Sequence, residues 1–279
     1  MTTDTTTFPE VRTNVAGFRI GAASVRGPGH VRHGVANQDW YGIWRSPDYL
    51  LLAVADGLSS AAQSGLGARY AIELILSVFQ NALFAEVLER AQGKPERALL
   101  DKSDKAILSR WRWRFGEESS AFDTTLLALA ITPQCVVTAQ VGDGAILYRR
   151  TGESEVQRVE APDKPFLNDP GATMATAKEL EIKVVEPIGI DAFLLMTDGV
   201  ADDVDLGVYP ASLLDYLSSS PRAGTSGASH WDQALTKHLS EWPTPGHYDD
   251  KTLVVGIAKG QDRLIPEPFI DVKDCGEIR

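Results

Sequence analysis

The chain has 279 residues, 43% hydrophobic and 23% charged, the balance of an ordinary soluble protein, which speaks against wholesale disorder or a fibrous repeat. A formal net charge of −11 argues against nucleic acid and anionic lipid as partners, because both call for a basic footprint. No apolar run approaches the roughly 20 residues that cross a bilayer, so no membrane span is expected.

The opening residues, MTTDTTTFPEVRTN, have neither the basic nor the apolar region of a secretory signal, and the expected compartment is the cytoplasm. Cys135 and Cys275 lie far apart and offer no disulfide framework, which fits a reducing environment. Residues 1–16 and 261–279 read as loose tails around one folded unit at 17–260. Within it, strands are expected at Phe18–Ser24, Tyr49–Ala55, Thr124–Thr132, Cys135–Val141, Ala145–Arg149, Leu180–Val185, Phe193–Thr197 and Thr252–Ala258. Each is short, β-branched or apolar, and bounded by turn residues.

Two longer segments interrupt the strands. Ala62–Ala91 repeats apolar residues at helical spacing, with Leu66, Tyr70, Leu74, Val78 and Ala82 expected on the buried face. Glu96–Phe115 reads as a second helix ending near Gly116. Its Trp111 and Trp113 are two apart and cannot share a face, so one is expected in the core and the other partly exposed. Ala161–Ala177, with three prolines and no periodicity, reads as a long surface loop. Further helices are expected at Ala211–Ser218 and Trp231–Glu241. The order of elements points to an α+β fold of antiparallel sheets covered by helices rather than to βαβ units.

Aspartates stand at strand ends or loops in five places: Asn37-Gln38-Asp39, Asp56-Gly57, Asp143-Gly144, Asp198-Gly199 and Asp249-Asp250. Any one Asp-Gly pair is a common turn. Asp56 and Asp198, however, follow apolar runs that suggest buried strands delivering a carboxylate to one sheet end. Carboxylates gathered at one rim repel one another unless cations lie between them. An all-oxygen donor set suits Mg²⁺ or Mn²⁺ rather than Zn²⁺.

In this order the motifs resemble the metal-dependent protein phosphatase family, protein phosphatase 2C. The match runs through Asn37-Gln38-Asp39, VADGLSS, FDTTLLALAI, QVGDGAILYRR, LLMTDGVADDV and DDKTLVVG, over about Phe18 to Ala258. The resemblance implies two packed antiparallel sheets flanked by helices, with two metals at one end. It implies that Asp56 bridges both metals, with Asp39 and the Gly57 carbonyl on one side and Asp198 and Asp249 on the other. Asp143 and Asp202 match positions that hold a third, weaker metal in some relatives. A metal-bridging hydroxide would then attack phosphorus in a phosphorylated protein, the product of a cognate serine/threonine kinase. Thr124 and Thr125 are expected to be packing residues.

Two departures stand out. Leu58 occupies the position where family members often carry a histidine, and no arginine stands at the familiar offset before Asp39. His30 or Arg32, in a Gly-rich loop, is the expected phosphate contact or proton donor. A non-catalytic signalling module of the same fold, and a phosphatase of small phosphorylated metabolites, are the alternative readings.

Overall fold

The run Leu50–Ala55, LLLAVA, is buried at every position, so its strand must be covered on both faces rather than one. Alternate side chains divide between two cores. Leu50, Leu52 and Val54 point into the space between two sheets, while Leu51, Ala53 and Ala55 meet helices on the opposite face. In this computed structural model the described residues are 17–46, 49–80, 97–132, 136–159, 172–185, 189–206, 210–219, 229–242 and 248–258. Both expected tails, both cysteines, residues 81–91 of the first expected helix and residues 161–171 of the expected loop lie outside them.

Ten strands form two five-stranded sheets, every ladder antiparallel. The strands are β1 (Phe18–Val25), β2 (Trp40–Arg45), β3 (Leu50–Ala55), β4 (Leu126–Ile131), β5 (Val136–Val141), β6 (Ala145–Arg150), β7 (Val156–Arg158), β8 (Glu181–Val185), β9 (Ile190–Met196) and β10 (Lys251–Ala258). One sheet runs β1-β10-β9-β6-β7 and the other β2-β3-β4-β5-β8. Phe18, Phe193, Leu129, Ile146 and Val254 fill the space between them.

Six α-helices stand among the described residues: α1 (Pro28–His33), α2 (Ser64–Gln80), α3 (Arg97–Phe115), α4 (Asp198–Ala201), α5 (Pro210–Ser219) and α6 (Ser229–Ser240). Helices α2 and α3 cover one sheet, through Ile75, Phe79, Ile107 and Trp111. Helices α5 and α6 cover the other, through Leu213, Leu217, Trp231 and Leu235. The fold is therefore the expected α+β sandwich. Arg149, on β6, is buried between Asp191 and Asp215, each 2.7 Å away, and ties α5 to its sheet.

The buried face of α2 differs from the expected one. Leu66 is exposed and Tyr70 only half-buried, while Gly67, Ala68, Ala71, Leu74, Ile75 and Val78 face inward. Steps of four residues overshoot the 3.6-residue turn, and the small residues let the helix close on its neighbours. A Cβ at Gly67 would overlap the Phe122 carbonyl.

Four elements were not expected. Strand β2 is an edge strand with Trp40, Tyr41 and Ile43 all exposed, β7 is only three residues long, α1 replaces the expected Gly-rich loop, and the one-turn helix α4 begins at Asp198. The end of the expected surface loop is also firmly held. Thr173, Met174 and Ala177 are buried, and the Asp123 carboxylate accepts hydrogen bonds from Thr173 Oγ1 (2.7 Å) and the Ala175 amide (3.0 Å). Arg112 and Asp104 of α3 tie down the Ala177 carbonyl and the Leu180 amide.

Candidate metal centre

Strand register brings the aspartates to one rim. Trp40, at the start of β2, pairs with Ala55 at the end of β3. Asp39 and Asp56 are thus delivered side by side. Val141 at the end of β5 pairs with Leu126 at the start of β4, and the β5–β6 turn carries Asp143. In the other sheet, Met196 at the end of β9 pairs with Ala145 and with Leu253 of β10. Asp198 therefore lies near Asp143 and near Asp249, which precedes β10.

The three Asp-Gly pairs are not alike. Gly144 has φ +96°, and a Cβ there would stand 2.6 Å from the Met196 carbonyl oxygen, so it serves a tight turn of the kind that favours glycine. Gly57 and Gly199 have no positive φ and are needed for close packing. A Cβ at Gly57 would come within 2.8 Å of the Gln38 carbonyl oxygen and of Ser64, and one at Gly199 would overlap the Asp250 carbonyl oxygen.

Hydrogen bonds fix the backbone under the carboxylates. Thr125 Oγ1 accepts from the Asp56 amide (3.0 Å), and Thr124 Oγ1 donates to the Asp56 carbonyl (2.6 Å). These threonines are buried but do more than pack, because they orient the residue at the centre of the rim. Thr197 Oγ1 donates to Asp39 Oδ2 (2.9 Å) and accepts from the Thr252 amide (3.1 Å). Asp39 is only 4% exposed, and its Oδ1 has no hydrogen-bond partner among the described residues. Leu58, where a histidine was looked for, donates its amide to the Asp123 carbonyl (3.1 Å).

The electrostatics show mutual repulsion. Burial raises the Asp39 carboxyl from 3.8 to about 7, with Asp250 adding to the rise. Burial, then Asp39, Asp249 and Asp143, pushes Asp56 well above its ordinary value. Asp198 rises to about 8 through burial and then through Asp56, Asp143, Asp249 and Asp202. The aspartates expected from sequence thus sense one another across the rim. Among the described residues no group of three or more His, Cys, Asp or Glu side chains is drawn onto a single metal-sized point. Even so, the donor set fits divalent cations. It is all oxygen, it concentrates negative charge, and it holds one buried carboxylate oxygen with no partner.

His30 and Arg32 lie on α1, beside the rim but not in it. His30, with its side chain 15% exposed, places Nδ1 2.9 Å from Asp250 Oδ2. The Arg32 guanidinium lies over the Tyr248 ring, 5.1 Å from its centroid. From the sequence Asp250 was named only as the neighbour of Asp249 and given no role of its own. It is buried and accepts hydrogen bonds from the Gly27 and Gln38 amides at 2.7 and 2.6 Å.

Fold and site together define a two-sheet sandwich protein with an acidic rim suited to hard cations. Residues 26–242 match the family model of protein phosphatase 2C, and the chain belongs to that family of metal-dependent phosphatases. Among solved structures it is similar to a bacterial serine phosphatase (TM-score 0.63, 17% identity, covering 87% of this chain and 98% of that one). It is also similar to the serine/threonine phosphatase Stp1 from Staphylococcus aureus (TM-score 0.63, 16% identity, 89% and 98%). A third likeness is to the catalytic domain of the serine/threonine protein phosphatase PstP in complex with two manganese ions (TM-score 0.54, 18% identity, 86% and 97%). At these identities the likeness speaks for the fold alone. A comparison with curated protein sequences finds no match.

Proposed function

We propose that the chain is a protein serine/threonine phosphatase acting on phosphorylated proteins, with two Mn²⁺ or Mg²⁺ ions at the acidic rim. The observation that carries the reading is the convergence of Asp39, Asp56, Asp143, Asp198 and Asp249 from separate strand ends, where Asp39, Asp249 and Asp143 oppose the ionisation of Asp56, and Asp56, Asp143 and Asp249 oppose that of Asp198. Ionised together, these carboxylates weaken the fold by repulsion, which bound cations relieve. Family membership and the serine/threonine phosphatases of like fold, one solved with two manganese ions, support it.

Asp39, Asp56, the Gly57 carbonyl, Asp198 and Asp249 would hold the pair, with Asp143 and Asp202 available to a third ion. When bound, the cations acidify water and neutralise charge on a transferring phosphoryl group. The protein's own part is to hold the carboxylates in place through Thr124, Thr125 and Thr197, and to present His30 or Arg32 to the substrate phosphate or its leaving oxygen. No helix among the described residues is long and apolar enough to cross a membrane. We place the protein in the cytoplasm, opposite a cognate serine/threonine kinase.

The test is hydrolysis of p-nitrophenyl phosphate and a phosphothreonine peptide with Mn²⁺, Mg²⁺ or chelator, for the native protein, Asp56→Asn and Asp198→Asn. Metal-dependent turnover of both substrates, lost in both variants, is expected. A folded native protein inactive with every metal would instead be a non-catalytic module. Turnover of the small ester without the peptide would point to a small phosphorylated metabolite.

A further inference from the structure

Asp250 is 1% exposed and carries no assignment in the metal set, although it directly follows Asp249. Its Oδ1 accepts the Gly27 amide at 2.7 Å. Its Oδ2 accepts the Gln38 amide at 2.6 Å and lies 2.9 Å from His30 Nδ1, off the line of an ideal hydrogen bond. These contacts reach two separate places in the segment between β1 and β2: the residue before α1 and the residue before Asp39. A buried carboxylate is tolerated where donors converge on it, and here two backbone amides do so, with the His30 ring close beside them.

The neighbouring backbone is locked in the same way. The Gly29 amide donates to the Tyr248 carbonyl at 2.9 Å. A Cβ at Gly27 would overlap the Asp249 carbonyl, and one at Gly29 would come within 2.8 Å of the Tyr248 carbonyl oxygen. Helix α1 therefore lies directly on the segment that carries Asp249, and Asp250 is the side chain that pins it there.

We propose that Asp250 is a positioning residue: it clamps α1 and the approach to Asp39 onto the strand end bearing Asp249, and sets where His30 stands relative to the acidic rim. The inference rests on the phosphatase reading only for what His30 contacts, since the clamp itself is geometric. A carboxylate suits the task where an amide does not. Asparagine offers one acceptor oxygen, and its NH₂ would confront one of the donors that Asp250 receives.

Histidine-selective ¹⁵N labelling of the intact, metal-free chain reads the clamp directly, with His30 assigned by the signal lost in His30→Gln. The expected result is a proton on Nδ1, directed at Asp250, and a changed ring signal in Asp250→Asn. A native His30 protonated on Nε2 alone, with Nδ1 bare, overturns the clamp, whether or not the variant folds. In p-nitrophenyl phosphate kinetics with Mn²⁺, Asp250→Asn and His30→Gln should each lower kcat/KM roughly 10- to 100-fold, as groups that orient a site do. The double variant should be no worse than the poorer single, because the two residues act as one unit. Multiplicative losses, or an Asp250→Asn protein that melts lower yet turns over normally, would reduce Asp250 to a loop staple. Failure of the native protein to hydrolyse any phosphate would sink the phosphatase reading and leave the ring signal to decide the clamp.

Discussion

Replacing Asp198 with asparagine should stabilise the metal-free protein, and increasingly so as pH rises. Burial and the surrounding aspartates lift the Asp198 carboxyl from 3.8 to about 8. The folded chain therefore keeps a proton that the unfolded chain has already released. Folding stability is then present at low pH and is lost as pH climbs from the unfolded value toward the folded one. The loss is roughly 1.4 kcal/mol for each pH unit in that window. Asparagine has no proton to lose, so Asp198→Asn should gain on the native protein by close to ~3 kcal/mol between pH 5 and pH 7. Urea unfolding in chelator at these two values reads the gain. With an m-value of about 1–3 kcal/mol per molar, it moves the relative midpoint by roughly 1 M or more. Saturating Mn²⁺ should offset most of that gain, adding about 2.7 kcal/mol to the native protein at a hundredfold excess over Kd. Midpoints of the two proteins that run parallel from pH 5 to pH 7 would refute the idea that the rim is held together against its own charge.

Two further outcomes follow from packing. Gly199→Ala places a methyl group against the Asp250 carbonyl oxygen and should cost about 1–3 kcal/mol in thermal or urea melts, the usual penalty of overpacking, together with weaker Mn²⁺ binding. Trp111→Ala should cost about 3–5 kcal/mol, because the ring is fully buried. Trp113→Ala, at a position 85% exposed, should stay within about 0.5 kcal/mol of the native melt.

The interior strands were legible because they are covered on both faces. LLLAVA and the AFLLM of β9 are unbroken apolar runs too short for a helix and bounded by turn residues, the pattern of a buried strand. WYGIWR was passed over as a strand because β2 lies at a sheet edge: exposed and half-buried positions alternate along it, but Tyr41 and Ile43 put apolar residues on the exposed face, so no polar–apolar alternation marks it. Helix α1 left a signal that was there to be found: Pro28 at its first turn and Gly34 beyond its end, in the left-handed conformation with φ 70°. Six residues that open on Pro-Gly and lie between Gly27 and Gly34 simply resemble a loop more than a helix.

At the site, the order of motifs pointed to the rim aspartates and the resemblance named Asp249 for the metal set, but neither gave Asp250 a task. Asp249 and Asp250 are adjacent and chemically identical. Only the fold shows that Asp249 adds its charge to that around Asp56 and Asp198, while Asp250 turns inward to two backbone amides and His30. Likewise, DG occurs three times, and sequence alone does not separate the φ +96° turn at Gly144 from the close approaches at Gly57 and Gly199. Thr124 and Thr125 were read as packing because a hydroxyl's partner 68 or 69 residues away, here the Asp56 backbone, is invisible before the strands are paired.

The most direct test of the acidic rim as a two-cation site is calorimetric titration of the metal-free chain with Mn²⁺. The expected result is two ions bound per chain, with binding at the paired site lost in Asp56→Asn and weakened in Asp198→Asn. A folded native protein that takes up no Mn²⁺, or one whose uptake is untouched by both substitutions, would contradict it.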